Sequence, residues 1–168
     1  MGVLNDLLRR VEAVNEGLQT GETVREVVIK HAVDIMELQK EQLLAGKSSS
    51  GEDLRPYYSE DLRPGGYFKS GAAAKAYADW KQTISYPYSV QRNPDAPNLY
   101  VNGKFHNELG VQFGTDAMEV VATTTYAHGI MVKYGPQNFG LSGENWGRLF
   151  EMGAYDELMK RIKDELYV

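Results

Sequence analysis

Three histidines, no cysteine and scattered carboxylates set the chemistry open to this 168-residue chain. His106 and Glu108 stand two residues apart in a stretch that reads as β-strand, where alternation points both to one face. With His128 they compose a two-histidine, one-carboxylate set, the ligand type of a metal-assisted enzyme. Nothing in the spacing requires the three to converge. His31 lies on an apolar helical seam, where a lone histidine is read as a hydrogen-bonded core or interface residue. Glu108 and Glu119 can face each other across a hairpin as acid and base, although paired carboxylates are ordinary on a solvated sheet face. Ser48, Ser49 and Ser50 form a Gly-flanked, flexible run without the strand–turn–helix setting of a nucleophile elbow. Gly110 to Gly114 lacks the lysine and following helix of a phosphate loop, and Gly65-Gly66 is a turn beside Pro64. Lys160, Arg161 and Lys163 alternate with Asp156, Glu157, Asp164 and Glu165, the decoration of an exposed helix face. The residues therefore assign no catalytic, cofactor-binding or metal-binding position and imply no cofactor. Tyrosine supplies 11 of the aromatic side chains, and Tyr57, Tyr58, Tyr67, Tyr86 and Tyr88 lie in or near loops, a distribution suited to protein–protein surfaces. An interaction or structural protein is favoured over an enzyme. Two alternatives stay open: a small intracellular metal-assisted enzyme using His106, Glu108 and His128, and a monomeric adaptor whose 46–70 segment clasps one partner.

The elements that must position these residues can be read from periodicity. Leu4, Leu7, Leu8, Val11, Val14 and Leu18 recur at three- and four-residue steps and predict a first helix, with Gly17 and Gly21 at its end. Thr23 and Glu26 fit a capping box opening a second helix, whose seam of Val24, Val28, His31, Ile35 and Leu38 is widened by Ile29, Val33 and Met36. So broad an apolar face suggests more than one neighbour, inside the fold or across subunits. Residues 1–45 thus read as a helical hairpin. Residues 46–70, rich in Gly, Ser, Pro and charge, read as an extended arm docking by its aromatics, with a flexible loop carrying incidental tyrosines as the alternative. Within it Glu52-Asp53-Leu54-Arg55-Pro56 returns as Glu60-Asp61-Leu62-Arg63-Pro64, a repeat that suggests symmetric contacts. Ser70 can cap a helix with the stripe Ala73, Ala76, Tyr77, Trp80 and Ile84, ended by Tyr86-Pro87. Asn93 to Pro97 is a rigid connector. Leu99–Val101, a turn at Asn102-Gly103, and alternation through Phe105, Leu109, Val111 and Phe113 predict strands. Gly114-Thr115-Asp116 turns the chain into a further strand at Met118, Val120 and Ala122. A short helix over Tyr126–Tyr134 ends at Gly135-Pro136. Ser142 caps a helix through Met152, and Tyr155, Leu158, Met159, Ile162 and Leu166 line a terminal helix. The class is α+β: an N-terminal helical hairpin, an extended aromatic arm, and a small antiparallel β-sheet with peripheral helices, in one domain spanning 1–168.

Composition narrows the partners. With 18 Lys+Arg against 23 Asp+Glu the formal net charge is −5, which argues against a dedicated nucleic-acid binder. No run approaches the roughly 18 apolar residues of a membrane span, and Met1 to Asp6 has neither the basic nor the apolar region of a signal peptide. A soluble protein assembled inside a cell is expected.

One stretch resembles a known group. Leu99-Tyr100-Val101-Asn102-Gly103-Lys104-Phe105-His106-Asn107-Glu108-Leu109 is similar to the Leu-x-x-x-Gly-x-Φ-x-x-x-Φ opening (Φ apolar) of tail-completion and virion-morphogenesis proteins of tailed bacteriophages. In that family a strand pair, a Tyr-Ala dipeptide, a short helix and a Gly follow, and Val120 to Gly135, with Tyr126-Ala127, keeps the order. Lys133 stands where the family has an acidic residue or glutamine, and Asn102 where it has threonine. Leu43–Gly46, Tyr67–Lys69 and Ala78–Lys81 also resemble uncharacterised phage and prophage proteins of Bacteroides-type hosts. The resemblance, over about residues 98–135, implies a neck or tail-completion subunit: a homo-oligomeric ring between head connector and tail tube, assembled in the host cytoplasm and carried in the virion. It implies contacts with neighbouring connector or tail-tube proteins, no sequence-specific nucleic-acid binding, no membrane, and no catalytic residues.

Overall fold

Residues 3–62, 64–114, 118–123 and 125–167 are described by a computed structural model. The chain forms α1 (Val3–Thr20), α2 (Glu22–Lys30), α3 (Ala32–Leu44), α4 (Gly71–Thr83), α5 (Lys104–Asn107), β1 (Leu109–Phe113), β2 (Met118–Ala122), α6 (Ala127–Tyr134), α7 (Gly143–Leu149) and α8 (Tyr155–Tyr167). A 3-10 turn (Pro136–Asn138) and a π-turn (Phe150–Ala154) join the last three helices. The fold is α+β, as the periodicity predicts.

The second limb of the expected hairpin is two helices. At His31 the backbone leaves helical geometry (φ −95°, ψ 17°), and its Nδ1 donates to Asp34 Oδ2 at 2.8 Å, clamping the bend. The expected capping box does not form. Gly21, in the left-handed region at φ 74°, starts α2 two residues earlier, and Thr23 turns inward over Gly17, where a Cβ would stand 2.6 Å from its hydroxyl. Thr23 serves the close approach of α1 and α2 and is not free to cap. On α8, Glu157 accepts from Lys30 at 2.6 Å and Arg161 pairs with Glu26, so ion pairs as well as apolar contacts tie the last helix to α2.

Two clusters form most of the core. Val27, Ile35, Leu38, Leu141, Leu149 and Ala154 join α2 and α3 to α7, while Leu43, Leu54, Phe105, Leu109, Val120 and Ala127 join the end of α3 to the sheet and α6. The strands pair antiparallel with Leu109 opposite Ala122, Val111 opposite Val120 and Phe113 opposite Met118, so the alternating apolar sets share a face. The expected turn at 114–116 falls at Thr115 and Asp116, outside the described residues. Ser142 caps α7 as expected, its hydroxyl accepting from Asn145 N at 3.3 Å, but the helix stops at Leu149 and Gly153 (φ 109°) kinks the chain into α8.

Three other expectations change. Leu99–Val101 is not a strand: no strand pairs with it, Asn98 Oδ1 takes the Tyr100 amide at 3.1 Å, and Leu99 adopts φ 55°. Asn102-Gly103 opens α5, with Asn102 Oδ1 accepting from Lys104 N, where a hairpin turn was expected. The buried face of α4 is also rotated from the expected stripe. Ala74, Ala78 and Lys81 are covered while Ala73, Ala76 and Trp80 face solvent, because Tyr58 and Phe68 of the 46–70 segment pack on the side of α4 that carries Ala74 and Ala78.

That segment does dock by its aromatics, and it does so on its own chain. It runs as consecutive turns, with isolated bridges Lys47–Asp53 and Leu62–Phe68. Tyr58 and Phe68 pack against Ala74, Ala78 and Tyr77. The serine run is fastened too: Ser49 Oγ donates to Gln137 O at 2.6 Å, and Ser48 and Ser50 hydroxyls lie 2.8 Å apart. The repeat copies occupy unlike environments. Leu54 is fully buried and Leu62 exposed; Asp53 binds Lys47, Tyr57 and Asn93, whereas Asp61 binds Lys133 and the Tyr67 amide.

Candidate functional site

The turns of residues 58–68, α4, the crossing at 97–102, α5 and α6 enclose a cavity of about 570 Å³. Aromatic rings dominate its walls. Tyr58 and Tyr77 meet edge to face at 5.2 Å between centroids, Phe68 lies 5.2 Å from Tyr77, and Tyr67 is 5.0 Å from Phe68. Such edge-on packing holds the rings in fixed orientation. Burial pushes the phenols of Tyr58 and Tyr134 well above the ordinary tyrosine range, so both stay neutral hydrogen-bond donors.

Two lysines line the same cavity. Lys133 on α6 pairs with Asp61, and its ammonium lies 5.6 Å from the Tyr67 ring centroid and 5.3 Å from that of Tyr134. Lys81 on α4 is only 2% exposed, and its Nζ donates to the Tyr100 carbonyl. Among the described residues no carboxylate pairs with it. Desolvation, reinforced by Arg92, lowers its pKa to about 8. Beside it His106 is buried against the Tyr100 and Phe105 rings with neither nitrogen hydrogen-bonded, and burial and then Lys81 lower its pKa to about 3.

The sequence-derived candidates do not meet here as a catalytic set. His106 sits in the one-turn helix α5, Glu108 ends that helix and accepts from Thr123 at 3.3 Å, and His128 is exposed on α6. Because residues 104–107 coil, the two-residue spacing no longer places His106 and Glu108 on one face. Glu119 stands opposite Gln112 in the sheet, so it does not pair with Glu108. Among the described residues no three His, Asp or Glu side chains gather in a set able to hold a metal ion. Of the loop tyrosines, Tyr57 donates to Asp53, Tyr88 donates to Glu37, and Tyr86 stacks under Arg92 and against Tyr100, while Tyr67 stays exposed at the cavity rim. Sequence reasoning passed over Lys81 and Asp61. A usable signal was the Ala74, Ala78, Lys81 spacing, which puts a lysine in line with two small residues.

A second feature lies on the first three helices. Leu7, Leu8, Val11, Leu18, Val24, Ile29 and Val33 are 41–74% exposed, and α1 fully buries only Val14 among the residues whose side chains are described. Leu7, Val11 and Leu18 share the side of α1 that carries the buried Val14, and each stays about half exposed although α1 packs on α2 and α8. No described helix is long and apolar enough to cross a membrane. Against protein-family models, curated proteins and solved structures the chain gives no match.

Proposed function

We propose that this chain is a non-enzymatic structural subunit of a tailed bacteriophage, a neck or tail-completion protein that forms a ring joining head connector to tail. The observation that carries the reading is the set of half-exposed apolar side chains Leu7, Leu8, Val11 and Leu18 on α1, with Val24, Ile29 and Val33 exposed on the next two helices, whose remaining area a protein neighbour would remove from water. The order of strand pair, Tyr126-Ala127, short helix and Gly135 supports it, since β1, β2 and α6 follow that order. The net charge of −5 suits a channel through which DNA passes without adhering, because like charge opposes phosphate binding. Its mechanism is assembly: apolar area is removed from water and no covalent bond changes. Its partners are connector or tail-tube proteins, and it is put together in the host cytoplasm and kept in the virion. Mass spectrometry of gradient-purified particles from the phage or induced prophage encoding the chain tests this. The expected result is the chain in fixed, multiple-copy stoichiometry; its absence from intact particles overturns the reading.

A further inference from the structure

We infer that the aromatic cavity is a binding site for a small aromatic carboxylate, whose carboxyl group pairs with Lys81 and whose rings lie among the aromatic side chains of the wall. The inference goes beyond the neck reading and is independent of it, because the site is built within one copy of the chain. An ammonium carries three N–H donors. On Lys81, 2% exposed and part of the cavity wall, the Tyr100 carbonyl accepts one, and no other acceptor among the described residues takes the rest. Its charge is uncompensated too. Asp61, the one carboxylate on the described wall, is held by Lys133. Arg92, whose charge opposes that of Lys81, is a further cation, donating to Ile84 O at 3.2 Å and lying 4.1 Å over the Tyr86 ring. A buried ammonium without a counter-ion is costly, and an entering carboxylate relieves that cost through a charge-assisted hydrogen bond.

The wall sets the rest of the ligand. Tyr58 stands at 89° to Phe68 and at 78° to Tyr77, so ring edges and ring faces alternate there. A flat aromatic molecule extends such an edge-to-face set, which a saturated one of similar size does not. A volume of about 570 Å³ lies in the range of small-molecule sites and takes two linked rings with a carboxyl group. Tyr67 and Tyr126, 65% and 42% exposed, mark the mouth, and Lys81 lies away from solvent, where a charge pair is least screened.

Titration calorimetry on the full-length chain tests this with three probes of similar size: biphenyl-4-carboxylate, its neutral amide biphenyl-4-carboxamide, and the saturated acid 4-cyclohexylcyclohexanecarboxylate. The aromatic acid is expected to bind one to one with a Kd below about 1 mM. The amide is expected to bind about tenfold more weakly, the loss of one hydrogen bond between charged groups, and the saturated acid at least threefold more weakly. Lys81→Met is expected to erase the difference between acid and amide. Lys75→Met, on the exposed side of the same helix, is expected to leave all three affinities unchanged. The comparison of probes on wild type stands even where Lys81→Met does not fold. No binding of the aromatic acid, equal binding of the amide or of the saturated acid to wild type, or a preference for the acid that survives in folded Lys81→Met overturns the inference.

Discussion

Gln42→Leu should cost this fold about 3 kcal/mol, although leucine matches glutamine in size and favours helix equally well. Gln42 is buried on α3, and its amide makes three bonds: Nε2 donates to Gly140 O at 2.8 Å, and Oε1 accepts from Ser142 N at 2.8 Å and from Asn145 Nδ2 at 2.9 Å. Asn145 keeps a second acceptor in Leu38 O at 3.2 Å. Substitution therefore orphans one backbone amide and one carbonyl completely, at about 1–3 kcal/mol each. Added apolar burial offsets about 1 kcal/mol. For a chain of this size the melting temperature should fall by about 6–12 °C. Gln39→Leu is the matched control. Gln39 accepts only from Gly140 N, at 2.9 Å, and its Nε2 already has no partner, so the substitution loses one bond and deletes one unsatisfied donor. It should cost about 1 kcal/mol or less. Urea unfolding followed by tryptophan fluorescence reads both, since Trp146 packs on this part of the core. A Gln42→Leu cost within 1 kcal/mol of zero, or a Gln39→Leu cost equal to it, would refute the reasoning.

Lys81 titrates near 8 in the fold and near its ordinary 10.5 when unfolded, so the unfolded chain binds more protons across that interval and stability should rise with pH through it, by about 3 kcal/mol. Above pH 10 the raised phenols of Tyr58 and Tyr134 reverse the trend; Lys81→Met should remove the rise and leave the fall, as urea midpoints from pH 7 to 11 will show. His106, lowered to about 3, acts at the acid end: stability should decline as pH drops below about 6.5, the ordinary histidine value, and His106→Leu should flatten that decline between pH 6.5 and 4. Gly46 has φ 75°, and a Cβ there would stand 2.9 Å from the Ala96 Cβ, so Gly46→Ala should destabilise by about 2 kcal/mol or more, whereas Gly21→Ala, at φ 74° with nothing within 4 Å, should cost about 1 kcal/mol in the same thermal melts.

What was legible in the sequence was local and periodic. The α+β class, the Ser70 and Ser142 caps, the alternation of β1 and β2, and the short helix ended by Gly135 depend on neighbours within a few residues, and the chain states them directly. The aromatics of residues 46–70 announced docking, but not that α4 of the same chain receives them. Where local signals had a competitor, tertiary contacts prevailed. Thr23 turned inward because Gly17 lets α1 and α2 approach, Asn98 took the Tyr100 amide that a strand at 99–101 needed, and Asn102 took the Lys104 amide and opened α5 where a hairpin turn was expected.

The candidate site was the least legible part, and the reason is geometric. A cavity is a relation among residues 58–68, 77–81, 97–105 and 126–134, which no window on the sequence spans. Lys81 reads as the polar face of an amphipathic helix, and Gln39 and Gln42 read as solvent-facing glutamines. Only packing decides that the lysine is desolvated beside an aromatic cluster and that the two amides bind α3 to the 140–145 segment a hundred residues later. By itself the sequence determined which segments coil, alternate or turn, because those choices are settled by steric and hydrogen-bonding preferences between near neighbours. The tertiary structure alone decided which polar groups leave water, because desolvation depends on what arrives from the rest of the chain.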